Sequence, residues 1–236
     1  MKNGILKSVF YYLKRSSQVL GLIFSGRPQR FASLDYEKYW QARGEFGFST
    51  RFAVFAGIIN EGSSVLDIGC GEGSGLKWLK DAKGITGEGV DISAKAVEMA
   101  RAKGISASQA DVVSPDFTIS KAYDFIIISE VLEHITCPEE LMRKVKGKFN
   151  NALIVSLPNI GHYIHRLRLL FGRFPVQWTC HPAEHLRFWT IRDFRDWVRE
   201  QGYRVESTHT HTGFLFFHRI MPNLFADSVV FVLKEA

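Results

Sequence analysis

The sequence predicts an α/β fold, a doubly wound and mostly parallel sheet of seven strands that helices cover on both faces. Three observations support this fold class. Short apolar stretches alternate with helical ones between residues 64 and 158, the pattern of parallel strands joined by crossover helices. A glycine-rich turn, GCGEGSG over 69–75, directly follows the first apolar stretch. Acidic residues stand at the ends of successive strands, where open parallel sheets bind their ligands.

Each predicted element has a local signal. Two helices, over residues 35–44 and 48–60, precede the sheet. Strands are predicted at 64–69, 85–92, 105–111, 123–129 and 151–158, with closing strands at 203–209 and 228–234. Helices are predicted between them at 75–82, 94–103, 138–148 and 190–202. Pro138 suits the first turn of its helix. Thr190, with Asp193 three residues later, suits the N-terminal cap of the last helix.

Residues 158–189 interrupt this alternation and are rich in aromatic residues and histidines. We expect them to form an insertion or lid after the fifth strand. The aromatic side chains are expected to form a lid or pocket over a bound acceptor, and at least half of them are alternatively expected to pack in the core. The candidates are Phe171, Phe174, Trp178, Phe188 and Trp189.

The basic charge of the chain is concentrated at its N-terminus. The formal net charge is +6, yet residues 1–34 contain six Lys and Arg residues and no acid, so the rest of the chain is formally neutral. A helical projection places several apolar residues of this segment on one face: Leu6, Val9, Phe10, Leu13, Leu20 and Phe24. Two interpretations stay open. Residues 1–25 lie on an anionic membrane, or they pack as a helix on the domain formed by 35–236.

The cellular setting can also be inferred. Lys14 and Arg15 interrupt the apolar residues of the N-terminal segment, so we expect neither a membrane-spanning helix nor a signal peptide. Cys70, Cys137 and Cys180 are too few and too scattered for a disulfide framework. The sequence therefore predicts a cytoplasmic protein, peripheral to a membrane under the first interpretation. Its neutral domain argues against nucleic acid as a partner, and the oligomeric state is not predicted.

The glycine-rich turn is the main functional signal. Its glycine spacing departs from the G-x-G-x-x-G of dinucleotide loops, and it lacks the Lys-Ser/Thr pair of phosphate-binding loops. Asp91 ends the predicted second strand, Asp111 ends the third, and SEVLEHI follows the fourth. Acids at successive strand ends, without a phosphate site, suit a nucleoside that carries an amino-acid tail.

From residue 36 to residue 234 the sequence resembles the class I S-adenosylmethionine-dependent methyltransferases, which have a Rossmann-like fold. The resemblance implies S-adenosylmethionine as the cofactor. Asp67, with the backbone of Gly69, Cys70 and Gly71, would hold the amino-acid end of the cofactor. By the same resemblance, Asp91 would bind the ribose, Ile92, Asp111 and Val112 would surround the adenine, Glu130 would lie beside the sulfonium, and Arg43 would reach the carboxylate.

Two local resemblances point to different functions. The stretches 156–176 and 185–206 resemble the MetW-like methionine-biosynthesis family, some of whose members are accessory partners of homoserine acyltransfer. The stretch EVLEHI, 130–135, is similar to ubiquinone-biosynthesis O-methyltransferases and to small-RNA 3′-end methyltransferases. That second resemblance implies a divalent metal held by Glu130, Glu133, His134 and His185.

Three functions are therefore expected in order of support. The first is O-methylation of a small-molecule, lipid-linked or glycan acceptor, with His134, His185 and Glu133 as candidate catalytic residues. The alternative without a metal has His134 as a base or a substrate contact. The second function is a MetW-like accessory role with little methyl transfer. The third is RNA 2′-O-methylation, which the neutral domain disfavours.

Overall fold

The structure is a computed structural model that describes residues 35–45, 47–175, 177 and 185–236. The predicted amphipathic segment 1–34 lies outside the described residues, as do Trp178 and Cys180. Within the described ranges, no helix has both the length and the apolar character needed to cross a bilayer.

The elements alternate as the sequence predicts. The helices are α1 (Tyr36–Arg43), α2 (Thr50–Ile58), α3 (Ser74–Lys83), α4 (Ala94–Ala102), α5 (Pro138–Val145), α6 (Tyr163–Leu170), α7 (Ile191–Glu200), α8 (Phe217–Ile220) and α9 (Pro222–Phe225). The strands are β1 (Ser64–Ile68), β2 (Thr86–Asp91), β3 (Ser106–Gln109), β4 (Tyr123–Ser129), β5 (Phe149–Pro158), β6 (Tyr203–Gly213) and β7 (Ala226–Glu235). A short 3₁₀ turn, Leu132–His134, follows β4.

The seven strands form one sheet in the order β3-β2-β1-β4-β5-β7-β6. The first five strands of the chain are parallel, and β7 is antiparallel to both β5 and β6. The strand order reverses between β1 and β4, so the carboxyl ends of these two strands border a crevice. The predicted doubly wound, mostly parallel fold is confirmed.

Both faces of the sheet are covered. Ile126, Ile128 and Val155 belong to one buried apolar cluster, which includes Phe194 of α7. Ile127 and Ile154 point to the other, which includes Phe52 of α2 and Leu76 of α3. Alternate residues of one strand face opposite layers, so a strand buried on both sides must be apolar at every position.

Two helix signals in the sequence are confirmed by contacts. The Thr190 hydroxyl accepts a hydrogen bond from the Asp193 N–H at 3.2 Å and donates to the Asp193 carboxylate at 2.8 Å. Pro138 stands in the first turn of α5, where its missing N–H costs no helical hydrogen bond.

Three boundaries differ from the sequence prediction. The third strand ends at Gln109, so Asp111 lies two residues beyond it. The region 158–189 contains the helix α6, which the sequence did not predict because its aromatic and histidine content obscured the helical period. The last two strands are longer than predicted, and α8 and α9 connect them.

The turn after β1 is shaped by contacts within the protein. Gly69 and Gly71 have φ values of 78° and 55°, in the left-handed region that favours glycine. A Cβ on Gly69 would lie 2.3 Å from Val131 Cγ2, and one on Gly71 would lie 2.8 Å from the Trp40 ring. The sequence predicts that glycine here allows a ligand to approach the backbone. At Gly69 and Gly71, glycine is also needed because Val131 and Trp40 pack where a Cβ would lie.

Substitution of Gly69 by alanine should therefore destabilise the protein through two effects. The left-handed backbone costs about 1 kcal/mol, and overlap with Val131 adds roughly 1–3 kcal/mol. Gly84→Ala is the matched control, because Gly84 also has a positive φ, 62°, but open space around it. Urea unfolding should show a clearly larger loss for Gly69→Ala, and equal losses would contradict the packing argument.

Candidate functional site

A cavity of about 560 Å³ lies in the crevice at the carboxyl ends of β1 and β4. Its floor is the glycine-rich turn, and α1 and α2 cover one side. Every cofactor-binding residue expected from the sequence lines it: Arg43, Asp67, Gly69, Cys70, Gly71, Asp91, Ile92, Asp111, Val112 and Glu130. The volume lies in the range of ordinary small-molecule sites.

Asp67 carries a buried carboxylate in the wall of this cavity. Among the described residues, its Oδ1 atom has no hydrogen-bond partner. Burial raises the pKa of Asp67 to about 7, and the positive charge of Arg51 opposes this shift. A buried carboxyl oxygen without a donor is costly, and an ammonium group in the cavity would satisfy it.

Asp91 holds the glycine-rich turn against the end of β2. Its Oδ2 atom accepts the Gly71 N–H at 2.8 Å, and its Oδ1 atom accepts the Ser93 N–H at 2.9 Å. Burial raises the pKa of Asp91, while these backbone N–H groups lower it. Each carboxylate oxygen can accept a second hydrogen bond. Asp91 can therefore hold the turn and bind a diol at the same time.

Three further residues lie together at the β2–β3 end of the cavity. Ile92 is 47% exposed and Val112 is buried, and both line the cavity. The Asp111 carboxylate accepts the Val113 N–H at 3.0 Å, which shapes the turn after β3. An apolar residue on each side and a carboxylate at the rim fit a planar base with an amino group.

Glu130 is held in a strained backbone conformation directly after β4. Its φ is 56°, which is uncommon for a residue other than glycine and is typical of functional turns. Its Oε1 atom accepts hydrogen bonds from Ser156 and from Ser228, the latter at 3.0 Å, and lies 3.5 Å from Arg51 Nη1. The carboxylate is therefore tied to β5, β7 and α2.

Glu133, His134 and His185 form a cluster in which the two histidines line the cavity and Glu133 is buried beside them. One ligand atom of each lies within 4.8 Å of the others, and the rings of His134 and His185 meet at 4.8 Å. Both carboxylate oxygens of Glu133 lack a hydrogen-bond donor within the described part of the chain. Burial, aided by the charge of Glu130, raises the pKa of Glu133 well above its ordinary value.

The structure brings together three of the four residues expected as metal ligands. Glu130 is not a member of the cluster, and its Oε1 atom contacts Ser156, Ser228 and Arg51 instead. His185 reaches the cluster from a distant part of the chain. The N–H groups of Leu186 and Arg187 donate to the Glu133 carbonyl at 2.7 and 3.0 Å, which fixes this approach.

Arg43 and Cys70 occupy different parts of the site. Arg43 lies over the Tyr39 ring at 5.0 Å and bonds to its hydroxyl, so the guanidinium is held at the cavity wall. The Cys70 side chain is packed against Gly89, and burial raises the pKa of its thiol. Cys70 therefore contributes its backbone to the turn and keeps its sulfur in the core.

Sequence reasoning missed Arg51. Its guanidinium faces Glu130, and its charge acts on both Asp67 and Glu133. The available signal was one arginine in the otherwise apolar helix TRFAVFAGI. Charged residues are seldom placed on a buried helix without a partner, so that pattern indicated a buried acid nearby.

The expected aromatic pocket over the ligand is wrong for the described residues. Phe171, Phe174, Phe188 and Trp189 do not line the cavity. Trp189 packs on Phe194 and Trp197 in the core, and the three phenylalanines are exposed. The aromatic wall is supplied by the helices before the sheet: Tyr36, Tyr39, Trp40, Phe52 and Phe55.

Solved structures with this architecture define its class. An S-adenosylmethionine-dependent methyltransferase from Archaeoglobus fulgidus superposes with a TM-score of 0.62 at 18% identity, over 85% of this chain and 100% of that chain. A TehB-like methyltransferase from Corynebacterium glutamicum gives 0.57 at 14% identity, over 85% and 96%. Magnesium protoporphyrin IX methyltransferase from Synechocystis, solved with bound S-adenosylhomocysteine, gives 0.54 at 18% identity, over 98% and 100%. The fold is that of S-adenosylmethionine-dependent methyltransferases.

The sequence places the chain more narrowly within this fold. Residues 50–233 match the family described as methionine biosynthesis protein MetW, and the chain belongs to that family. A bifunctional methionine biosynthesis protein MetXA/MetW from Rhodopirellula baltica is 28% identical over 205 residues, 73% of this chain. This chain spans 30% of the length of that relative.

The Asp67 carboxyl should make the stability of the ligand-free protein depend on pH. Its folded pKa of about 7 lies above the ordinary 3.8, so the stability that the protonated carboxyl contributes is complete below about pH 4 and is lost as pH rises through 7. Asp67→Asn should remove this loss, gaining on the order of 2 kcal/mol over the wild type between pH 4 and pH 7. Urea unfolding at both pH values tests this, and parallel pH profiles would contradict it.

Proposed function

We propose that this protein binds S-adenosylmethionine in the cavity and transfers its methyl group. The observation that carries the proposal is the buried Asp67 oxygen without a donor among the described residues, beside a glycine-rich turn at a strand-order reversal. The ammonium group of the cofactor would supply the missing hydrogen bond. Asp91 and Asp111 are spaced along the same cavity and suit the ribose and the adenine amino group.

The proposed acceptor is an oxygen of a small molecule, a lipid-linked compound or a glycan. Transfer from a sulfonium requires an aligned nucleophile and a group that takes its proton. Without a bound metal, His134 and His185, which line the cavity, would supply this group, because an imidazole can accept a proton near neutral pH. Glu133 lies beside His134, with 3.7 Å between its Oε1 and the His134 Nε2, and is suited to orient that ring.

Titration calorimetry with S-adenosylmethionine tests the cofactor site. We expect micromolar binding by the wild type and at least about tenfold weaker binding by Asp91→Asn and by Asp67→Asn, because both lose a charge-assisted hydrogen bond. Asp81→Asn, on the exposed surface of α3, is the matched control and should bind as the wild type does. Thermal unfolding of each variant separates lost binding from lost folding.

We further propose that Glu133, His134 and His185 hold a divalent metal. The donor set fits, since two imidazoles and a carboxylate suit zinc or manganese. The buried Glu133 carboxylate has no donor among the described residues, and a cation would compensate its charge. A bound metal would lower the pKa of an acceptor hydroxyl.

The metal site can be tested with manganese alone. Calorimetry of the full chain with Mn²⁺ should show binding that His185→Ala and His134→Ala each weaken by at least about tenfold. His209→Ala is the control, because His209 contacts Ser207 on β6 and is not in the cluster. If neither Mn²⁺ nor Zn²⁺ binds, or if all three variants bind alike, the three residues have another role and His134 remains the candidate base.

A second candidate function is an accessory one. The bifunctional relative joins a MetW segment to MetXA in one chain, which supports partner binding by the MetW family. Under this hypothesis the protein binds an acyltransferase partner and turns over little or no cofactor. A complete absence of S-adenosylmethionine binding by a folded protein would favour this role over methyl transfer.

We also propose a cytoplasmic protein whose residues 1–25 contact an anionic membrane. This proposal rests on the amphipathic, acid-free sequence of that segment and on the absence of a disulfide framework among three scattered cysteines.

A further inference from the structure

A group of large apolar side chains is exposed at one edge of the described structure. Leu170 is 76% exposed, Ile220 is 66% and Phe216 is 59%. Together with three exposed neighbours they form what we call the apolar edge surface: Leu169, Leu170, Phe171, Phe216, Ile220 and Met221. Isolated exposed apolar residues are common, but a group of this size indicates an interaction site.

The two segments that carry these residues meet at the first turns of α6. One part is the end of α6 and the residue after it, and the other is the connection between β6 and β7. Tyr163 of α6 contacts Phe214 and Phe225 of the connection, with ring centroids at 5.5 and 5.7 Å. Arg166, one turn before Leu170, lies 3.5 Å from the Asn223 carbonyl. The first turns of α6 are therefore packed against the connection, and the exposed apolar residues lie on two neighbouring segments of the fold.

The loop after α6 is fixed by a buried arginine. Arg168 is 3% exposed, and its Nε donates to the Phe174 carbonyl at 2.8 Å. The chain also turns back at Gly172, whose N–H donates to the Leu169 carbonyl at 3.0 Å. These hydrogen bonds fix the backbone of the loop, so the fold itself keeps the apolar side chains exposed.

The two segments that carry this surface are basic, and Asp227, directly after the second segment, faces His162 at 3.3 Å. Residues 159–175 and 207–226 contain no Asp or Glu. Arg166, Arg173 and Arg219 are exposed within these two segments. Apolar side chains surrounded by arginines are the composition of protein surfaces that lie in the interface of an anionic bilayer.

We propose that the apolar edge surface binds an anionic lipid bilayer, with its apolar side chains in the acyl boundary and its arginines at the head groups. Charge complementarity favours a bilayer over two other candidates, a second copy of this chain and the segment 1–34. A second copy docked through the same surface would place arginine against arginine. The segment 1–34 is itself basic and acid-free, so it would be repelled as well.

The position of the surface gives it a functional consequence. β5 ends at Pro158, which lines the cavity, and α6 begins five residues later. If the acceptor of the proposed methyl transfer is lipid-linked, a bilayer on the apolar edge surface would hold the protein at the membrane that contains that acceptor. This consequence rests on the proposed function, whereas bilayer binding itself does not.

Vesicle co-sedimentation of the full chain tests the proposal. We expect binding to phosphatidylglycerol–phosphatidylcholine vesicles that weakens with salt, and much weaker binding to phosphatidylcholine alone. The triple variant Leu170→Ser, Phe216→Ser, Ile220→Ser should lose at least about tenfold in affinity, because three apolar side chains no longer enter the acyl boundary. Arg173→Gln with Arg219→Gln should reduce the salt dependence.

Matched controls come from exposed residues elsewhere. Phe48→Ser removes an apolar side chain that is 61% exposed beside Trp78. Arg204→Gln removes an exposed arginine at the opposite end of β6 from the surface, roughly 30 Å away along the strand. Both should bind vesicles as the wild type does. Cofactor calorimetry on the triple variant should be unchanged, which separates this proposal from the methyl-transfer proposal.

Two results would overturn the proposal. One is equal vesicle binding by the wild type and the triple variant, or no binding by either. The other is a wild type that sediments as a dimer in solution, without vesicle binding, and a triple variant that sediments as a monomer. In that case a second copy, and not a bilayer, covers the surface.

Discussion

The site depends on the attachment of the glycine-rich turn to the end of β2. The N–H groups of Gly69 and Cys70 donate to the Val90 carbonyl at 2.7 and 3.0 Å, and that of Gly71 donates to Asp91 at 2.8 Å. Three consecutive N–H groups are thus committed to the neighbouring strand. This attachment fixes the cavity floor, beside which the Asp67 Oδ1 atom has no donor from the described residues.

The electrostatics of the cavity follow from that arrangement. Arg51 interacts with three acidic residues of the site. Its charge lowers the pKa of Asp67 and of Glu133, and its guanidinium forms an ion pair with Glu130. Burial raises the pKa of Asp67 and of Glu133, so a cationic ligand is favoured beside these two carboxylates. A sulfonium with an ammonium group, and a divalent metal beside Glu133, are both of the required sign. Both the proposed cofactor and the proposed metal would therefore compensate the negative charge of buried carboxylates.

The residues that line the cavity and those that form the apolar edge surface come from different segments than the sequence predicts. Sequence patterns assign the aromatic residues of 158–189 to a ligand pocket, because aromatic side chains commonly line pockets. The structure instead supplies the cavity wall from α1 and α2. Phe171 and Phe174 are left exposed, and Trp189 packs partly buried against Phe194 of the core. Which aromatic residues meet the ligand depends on packing between distant segments.

The sequence by itself determined the sheet, the glycine-rich turn and the acids at the strand ends, because these depend on local apolar periodicity and on residues adjacent in the chain. The helix-start signals at Thr190 and Pro138 are also local, because they depend on residues within one turn. Only the tertiary structure decided that Arg51 faces Glu130 and that Glu130 bonds to Ser156 and Ser228. It alone brought His185 to Glu133 and His134. Those contacts join residues up to about a hundred positions apart, and no local pattern encodes such a distance, since packing of helices on the sheet sets it.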